Sequence, residues 1–322
     1  MLRQLSLRLV VGAGVVAGVV ALTFLLLHAA PGDPTEHLLG PTATPAQVAA
    51  LRHSLDLDRP WTAQFGAWLV RFARGDWGTS IATGRPVRAM IAAAWPETIL
   101  LVGLSLVLSY ALGVLVGAVQ AGRAGSRVDT ALSVGTVTLF ALPGYWLGLM
   151  LIMIGTYWWK VFPAFGATGY DADFLGGWAR LTDGLRHLTL PLFTLTLIGV
   201  GSVARFARGA MVEVRREAFV TTARAKGLTP AGIDRHVLRN ALIPVLTLLG
   251  LSLPALFSGA VFVEAVFAWP GVGRILVEAV QARDYPVVMA ATAVSAALVV
   301  AGNLAADLVV GALDPRLRGA RA

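Results

Sequence analysis

Long charge-free intervals set the pattern of this chain. No formal charge falls between Arg8 and Asp33, between Glu97 and Arg123, between Asp129 and Lys160, or between Asp284 and Asp307. A bilayer core of ~30 Å needs ~20 apolar residues in a helix, so each interval predicts one span, the first over 9–29. Two more spans are expected: a short one over 187–204, with Pro191 near its start, and one over about 240–263 containing Pro244 and Pro254. Pro143 predicts a kink in the third span. A secretory signal is the rival reading of the first span, with Arg3 and Arg8 as its basic end. Its apolar run exceeds the ~7–15 residues of such signals, and His28 or Leu27 sits where cleavage wants a small residue. The expectation is an uncleaved anchor and an all-α integral membrane protein of six transmembrane helices, with both termini on one side.

The basic residues orient these spans, because short cytoplasmic loops collect Lys and Arg. With the N-terminus inside, the inner segments hold Arg3 and Arg8, Arg123 and Arg127, eight Lys/Arg from Arg205 to Arg239, and Arg316, Arg318 and Arg321. Both termini are therefore expected in the cytoplasm. The outer stretch 33–96 carries six arginines, but it also has five acids and is long enough for the rule to lose force.

That stretch has structure of its own. Val48, Leu51 and Leu55 recur at helical spacing, as do Trp61, Phe65, Trp68, Leu69 and Phe72, which predicts two amphipathic helices on the membrane face or across the bundle mouth. Prolines 34, 41, 45, 60 and 86 and the turn Gly75-Asp76-Trp77-Gly78 punctuate it. A packed cap and a docking surface for a soluble partner both fit. Tyr157-Trp158-Trp159 reads as an interfacial aromatic belt. The organisation is then residues 1–96, a transmembrane helix plus the outer amphipathic segment, and residues 97–322, a five-helix core with a cytoplasmic loop at about 205–240.

Composition agrees and narrows the chemistry. The chain is 57% hydrophobic and only 14% charged over 322 residues, where a soluble domain carries about a quarter charged residues. Its mean hydropathy is +0.73. The net charge of +8 reads as cytoplasmic Lys/Arg facing anionic lipid; a nucleic-acid partner would need a soluble basic face. With no cysteine, disulfides, thiolate metal sites and cysteine nucleophiles are excluded.

The spans also lack the mid-membrane ionisable residues that a secondary carrier or pump uses; Glu264 and Asp307 sit near span ends. Walker-type loops, HExxH and GxSxG are absent. The histidines, at 28, 37, 53, 187 and 236, show no ligand spacing. No catalytic residue, metal site or cofactor is expected in this chain, so uphill transport would draw its energy from another one. Gly14/Gly18, Gly113/Gly117 and Gly144/Gly148 form GxxxG pairs, read as close helix packing.

The remaining polar island, 215–244, is where the chain meets the cytoplasm. Residues 216–226 are rich in helix formers and Gly227 is a natural stop. Thr229 offers an N-cap and Pro230 the first position of a second short helix, with Ile233 and Val237 on one face. Phe219, Ala223 and Gly227 lie at i, i+4 and i+8, a small face that a partner's cleft can accept, flanked by Arg224 and Lys226. An ordinary basic loop with a helical turn reads the same way. A channel or carrier would explain six spans but not this island.

The run Thr222-Ala223-Arg224-Ala225-Lys226-Gly227, followed by Leu238-Arg239-Asn240-Ala241-Leu242-Ile243-Pro244, resembles the signature of ABC-transporter permease subunits of the dipeptide/oligopeptide/nickel family. Pro31-Gly32-Asp33-Pro34, Arg74-Gly75-Asp76-Trp77-Gly78, Pro143 with Trp146-Leu147-Gly148, Trp269-Pro270-Gly271-Val272-Gly273, Arg283-Asp284-Tyr285-Pro286 and Leu313-Asp314-Pro315-Arg316 resemble that family's pattern in order. The resemblance implies a type I importer bundle in a bacterial inner membrane, working by alternating access, with a cytoplasmic coupling helix that fits a groove on an ATPase. The coupling loop would comprise Glu217, Phe219, Thr222, Ala223, Arg224, Ala225, Lys226, Gly227 and Leu228. In the wider superfamily this loop reads EAA, three residues, then Gly; aligned on Gly227, this chain has Thr221-Thr222-Ala223, so only the last Ala matches. The implied partners are a second permease, two ATPase subunits carrying ATP and Mg, and an extracytoplasmic solute-binding protein. The long outer stretch resembles the B-type member of the permease pair. Peptides are the implied cargo, with nickel complexes and glutathione left open.

Overall fold

The computed structural model describes residues 2–29, 44–54 and 58–313. Contacts divide the chain into two units, Met1–Thr98 with Pro270–Val300, and Ile99–Trp269 with Ala301–Ala322. The motifs Pro31–Pro34 and Asp314–Arg316, and Leu55 of the amphipathic pattern, lie outside the described residues.

In the first unit, α1 (Leu2–Ala29) covers the span expected over 9–29, and the amphipathic patterns become α2 (Pro45–Ser54) and α3 (Trp61–Ala73). Part of the apolar face of α3 packs within the unit. Phe65, Trp68 and Phe72 pack on Val20 and Phe24 of α1 and on Met289 and Ala293, which belong to α11 (Tyr285–Leu313). His28 closes the α1–α3 contact, with Nδ1 2.9 Å from the Phe24 carbonyl and Nε2 3.2 Å from Gln64 Oε1. Phe24 and Phe65 stand 5.1 Å apart, centroid to centroid, and Trp68 stacks on Phe72 at 4.8 Å.

The turn after α3 needs its glycines, because Gly75 and Gly78 sit at φ +84° and +77°, where side chains are disfavoured. The turn delivers Ser80 to Asp284, which is buried and accepts from Ser80 Oγ and from the Ala82 N–H at 3.2 Å. Asp284 Oδ1 also accepts from the Val287 N–H at 3.4 Å, at the start of α11. Two stretches 200 residues apart in sequence thus share one buried carboxylate. The entry to α4 (Val87–Gly122) adds Val87 and Ile91, which pack with Val272 and Ala279 of α10 (Val272–Gln281) and with Val287.

The second unit holds the rest of α4, then α5 (Arg127–Ala141), α6 (Gly144–Ile152) running into a π turn (Met153–Trp158), α7 (Gly177–Val214), α8 (Ala218–Ala225) and α9 (Pro230–Val266). The expected kink at Pro143 is a full break: α5 and the segment Gly144–Trp158 meet at 102°. Proline lacks an N–H and pushes the preceding residue out of helical geometry, and Leu142 is extended (ψ 133°). Among the described residues four helices are long and apolar enough to cross a membrane, or five if the bent pair is one span. The short span expected over 187–204 is embedded in the 38-residue α7, and the one over 240–263 lies within the 37-residue α9.

Close packing centres on glycine. A Cβ on Gly117 would stand 2.7 Å from the Ala204 carbonyl and 2.9 Å from the Arg208 amide nitrogen, so α4 and α7 approach backbone to backbone. A Cβ on Gly201 would likewise stand 2.7 Å from the Thr136 carbonyl, so α5 and α7 also approach backbone to backbone. Gly14 and Gly18 meet nothing within 4 Å. The three GxxxG pairs are therefore not equivalent.

Gly117→Ala should lower the stability of the detergent-solubilised protein by about 1–3 kcal/mol, the usual cost of overpacking, while Gly18→Ala leaves its thermal midpoint unchanged; equal midpoints for the two variants would refute the α4–α7 contact. Asp284→Ala strands Ser80 Oγ and the Ala82 N–H, and an expected loss of about 1–3 kcal/mol can be read in the same melting experiment.

Candidate functional site

The polar island folds around one short helix with two faces. Helix α8 starts after Glu217, whose backbone is extended, and ends at Ala225 with Lys226 as its C-cap. Gly227 follows at φ +77°, and the last turn closes through Gly227 N–H to the Arg224 carbonyl at 2.9 Å and Leu228 N–H to the Ala223 carbonyl at 3.2 Å. Only glycine takes that conformation without strain. Thr229 Oγ1 then accepts from the Gly232 N–H at 3.3 Å, and Pro230 occupies the first turn of α9. The expected second short helix does not stop: α9 runs on to Val266. Nothing between Asn240 and Pro244 breaks it, so the end of the island and the apolar run that follows share one helix.

The inner face of α8 is a hydrophobic anchor. Val220 is buried with Met211 of α7, Ala121 of α4, and Ile233, Val237 and Ala241 of α9. Of the residues expected in the loop, Ala223 and Leu228 pack half-buried against this cluster. Glu217, Phe219, Thr222, Arg224, Ala225, Lys226 and Gly227 are exposed. A Cβ on Gly227 would meet nothing within 4 Å. Beside the island lies an open cleft of about 870 Å³ between α7, α8 and α9, walled by Arg205, Glu213, Glu217, Phe219 and Asn240 among others.

Two ion pairs, neither visible in the sequence, tie the island down. Arg215 Nη2 donates to Asp234 Oδ1 at 2.6 Å, linking the exit of α7 to the first turns of α9. Asp129 takes Arg208 in a two-point grip, Nε to Oδ1 and Nη2 to Oδ2, each at 2.7 Å. This is the strong, directional form of an Arg–carboxylate contact. The Asp129 side chain is only 4% exposed. Its Oδ2 also accepts from the Gly125 N–H at 2.9 Å, and Ser126 caps the helix by accepting from the Asp129 N–H at 3.3 Å. The turn between α4 and α5 is thus fixed to α7 six residues before that helix ends. Sequence reasoning singled out Arg224 and Lys226 and passed over these pairs. Their partners lie 79 and 19 residues apart, and no local spacing joins them.

Chemically the surface offers donors, small side chains and one aromatic ring. Among the described residues no group of three or more His, Asp or Glu is placed to hold a metal ion.

Comparison with known proteins covers almost the whole chain. Residues 1–102 match the model of the N-terminal part of binding-protein-dependent transport system membrane components, and residues 109–319 match that of the inner membrane component. The oligopeptide transport system permease protein AppB of Bacillus subtilis is 36% identical over 312 residues, spanning 96% of this chain and 97% of that protein. The probable D,D-dipeptide transport system permease protein DdpB of Escherichia coli is 38% identical over 318 residues, 94% of each. Among solved structures, the MetNI methionine ABC transporter in an inward-facing form shares the fold with a TM-score of 0.53 at 18% identity, covering 71% of this chain and 98% of that one. That likeness agrees with the all-α, type I importer-like bundle expected from the sequence. With the match over 109–319 and relatives aligned end to end, the chain belongs to the family of inner membrane components of binding-protein-dependent transport systems.

Proposed function

We propose that this chain is the B-type permease of an ATP-driven peptide importer, and that α8 with Gly227 and Leu228 is the helix through which partner ATPases move it. The observation that carries the reading is the two-faced α8: Val220 anchors it in a cluster shared by α4, α7 and α9, while Phe219, Arg224, Lys226 and Gly227 face outward. Among the described residues neither Arg224 nor Lys226 makes an ion pair within the chain. Peptide cargo is supported by the names of the relatives. A second permease, two ATPases and an extracytoplasmic binding protein complete the assembly, and the binding protein supplies most of the selectivity. ATP and Mg belong to the ATPase chains. In this reading both termini and α8 are cytoplasmic, and α2 and α3 lie on the outer side.

The mechanism follows from the anchoring. When the ATPase pair closes, its grooves displace the two coupling helices. A push on α8 passes through Val220 into α7 and α9, through Arg215–Asp234 along α9, and through Arg208–Asp129 into the α4–α5 turn. The bundle then exchanges an inward for an outward opening, and the binding protein releases cargo into it. Closure shifts the bundle only if the contacts at α8 differ between the two states.

The direct test is to co-express the chain with its neighbouring permease and ATPases, purify the assembly through a tag on this chain, and assay ATP hydrolysis in lipid. Loaded binding protein should stimulate hydrolysis; recovery of folded, inserted chain with no ATPase bound would remove the proposal. Gly227→Leu places a side chain in open space, so insertion and melting should change only by the left-handed backbone cost of about 1–2 kcal/mol. Uptake should fall about tenfold or more, within the range typical of coupling between sites. Gly227→Ala carries the same strain with little bulk and separates the two effects. Breaking the buried grip by Asp129→Asn or Arg208→Gln should raise the ATP consumed per solute imported about fivefold, and the exchanged pair Asp129→Arg with Arg208→Asp should recover part of it. An unchanged ratio in both single variants would exclude the strut.

A further inference from the structure

Helix α7 carries one polar stripe ahead of the island. Ser202, Arg205, Phe206, Gly209 and Glu213 follow at i, i+3, i+4, i+7 and i+11, one face of a helix, and all five line the cleft of about 870 Å³ between α7, α8 and α9. A cavity of that size falls within the ~300–1,000 Å³ of small-ligand sites. The sequence places Arg205 just past a short span, but α7 is continuous from Gly177 to Val214 and is itself long and apolar enough to cross a membrane. Arg205 is therefore a charge on a helix of spanning length.

Its guanidinium is held away from the other charges. It stands over the Phe140 ring, 4.6 Å from the centroid, whereas Arg208, one turn on, reaches Asp129. Phe140 lies ~16 Å of helix beyond Asp129 on α5, inside the charge-free interval that ends at Lys160. Among the described residues Arg205 makes no ion pair. An ionisable side chain at such depth faces a bundle interior or a water-filled cavity, and marks a solute path by default. A guanidinium fork suits a carboxylate in two-point geometry, as Arg208 shows on Asp129. Further along the cleft Glu213 and Glu217 carry the opposite sign, and neither makes an ion pair among the described residues. Arg205 and Glu213 are ~12 Å apart along α7, close to the ~10 Å of an extended tripeptide. Phe206, Ile243, Pro244 and Leu248 supply apolar wall for its side chains.

We infer that this cleft is the part of the solute path contributed by α7 and α9, and that Arg205 receives the terminal carboxylate of a short peptide there while the peptide's ammonium faces Glu213. Phe140 holds the guanidinium in place until a carboxylate arrives. Arg205 is then a specificity-determining residue, since a solute without the carboxylate leaves its fork unpaired. The identity of the solute rests on the importer reading above, whereas the charge and accessibility of the cleft need only the membrane setting.

The chain has no cysteine, so Ser202→Cys introduces a single thiol one turn from Arg205. The test compares its modification by an anionic and a cationic methanethiosulfonate, each scaled to its rate with a free thiol. The chain is studied in lipid vesicles, alone and assembled with its neighbouring permease and ATPases. The anionic reagent should react about tenfold faster, the low end of what a charged cleft does to arrival rates. Arg205→Gln should abolish that preference and Arg205→Lys should keep part of it. Millimolar trialanine should slow the reaction severalfold, and trialanine amide should not. Gly209→Cys, where a Cβ meets nothing within 4 Å, lies midway to Glu213; it should react with little charge preference, and it carries the accessibility and trialanine arms if Ser202→Cys does not fold. A preference untouched by Arg205→Gln, or equal slowing by the peptide and its amide, would overturn the proposal. Modification in the chain alone but not in the assembly would overturn it in favour of a seat for the second permease. Failure to recover ATPases with the charge preference intact would count against the coupling helix and leave the charged cleft standing.

Discussion

Inside a bilayer no water is available to satisfy a peptide group, so every backbone N–H and C=O must be paired within the protein. This constraint confines the long apolar helices α1, α4, α7 and α11 to helix and pushes irregular backbone to their ends. It also explains why the informative geometry is concentrated in three short places: the turn at 74–86, the turn at 123–126 and the island at 215–229. Each is held by side-chain carboxylates or caps. Asp284 serves the first, Asp129 and Ser126 the second, Asp234 and Thr229 the third.

A second consequence is that apolar side chains gain little from leaving lipid, since lipid tails are as apolar as Leu. Helix association must then come from close approach. The contacts of Gly117 with the Ala204 carbonyl and of Gly201 with the Thr136 carbonyl show where α4 and α5 each approach α7 closely. The Arg208–Asp129 pair sits one turn further along the same helix. Helix α7 is the shared member of both contacts, and it leads directly into the polar island at 215–229.

Much of this was legible in the sequence. Charge-free intervals located the spans because removing a charge from water is expensive. The amphipathic period of Trp61, Phe65, Trp68 and Phe72 located α3, and Gly227, Thr229 and Pro230 bounded the island because each residue type has one conformational use. What could not be read was tertiary. Helix spacing does not reveal that Gly113 and Gly117 face a backbone while Gly14 and Gly18 face none. A proline marks a disturbance but not its size, so Pro143 gave no hint of 102°. The pairs Asp129–Arg208, Arg215–Asp234 and Ser80–Asp284 join residues with no periodic relation. The exposed residues of α8 were approached through their outward chemistry, whereas Val220, which is buried on its inner face, looked like any valine.

The anchoring of α8 bears on how force can cross this protein. A coupling element on a flexible tether would absorb displacement in the tether. Here only a few residues separate α7 from α8 and α8 from α9, and the gaps are bridged by a buried aliphatic cluster and an ion pair. Packed interiors resist compression, so α8 cannot yield independently of α7 and α9 without opening the Val220 cluster. The cheaper response is for both long helices to move with it. Their prolines, Pro191 in α7 and Pro244 and Pro254 in α9, each remove one backbone hydrogen bond and give the rods places to bend along their length. On the reading proposed above, a stiff anchor at α8 and compliance further along the same helices would together turn a local push into a rearrangement of the helices that carry it.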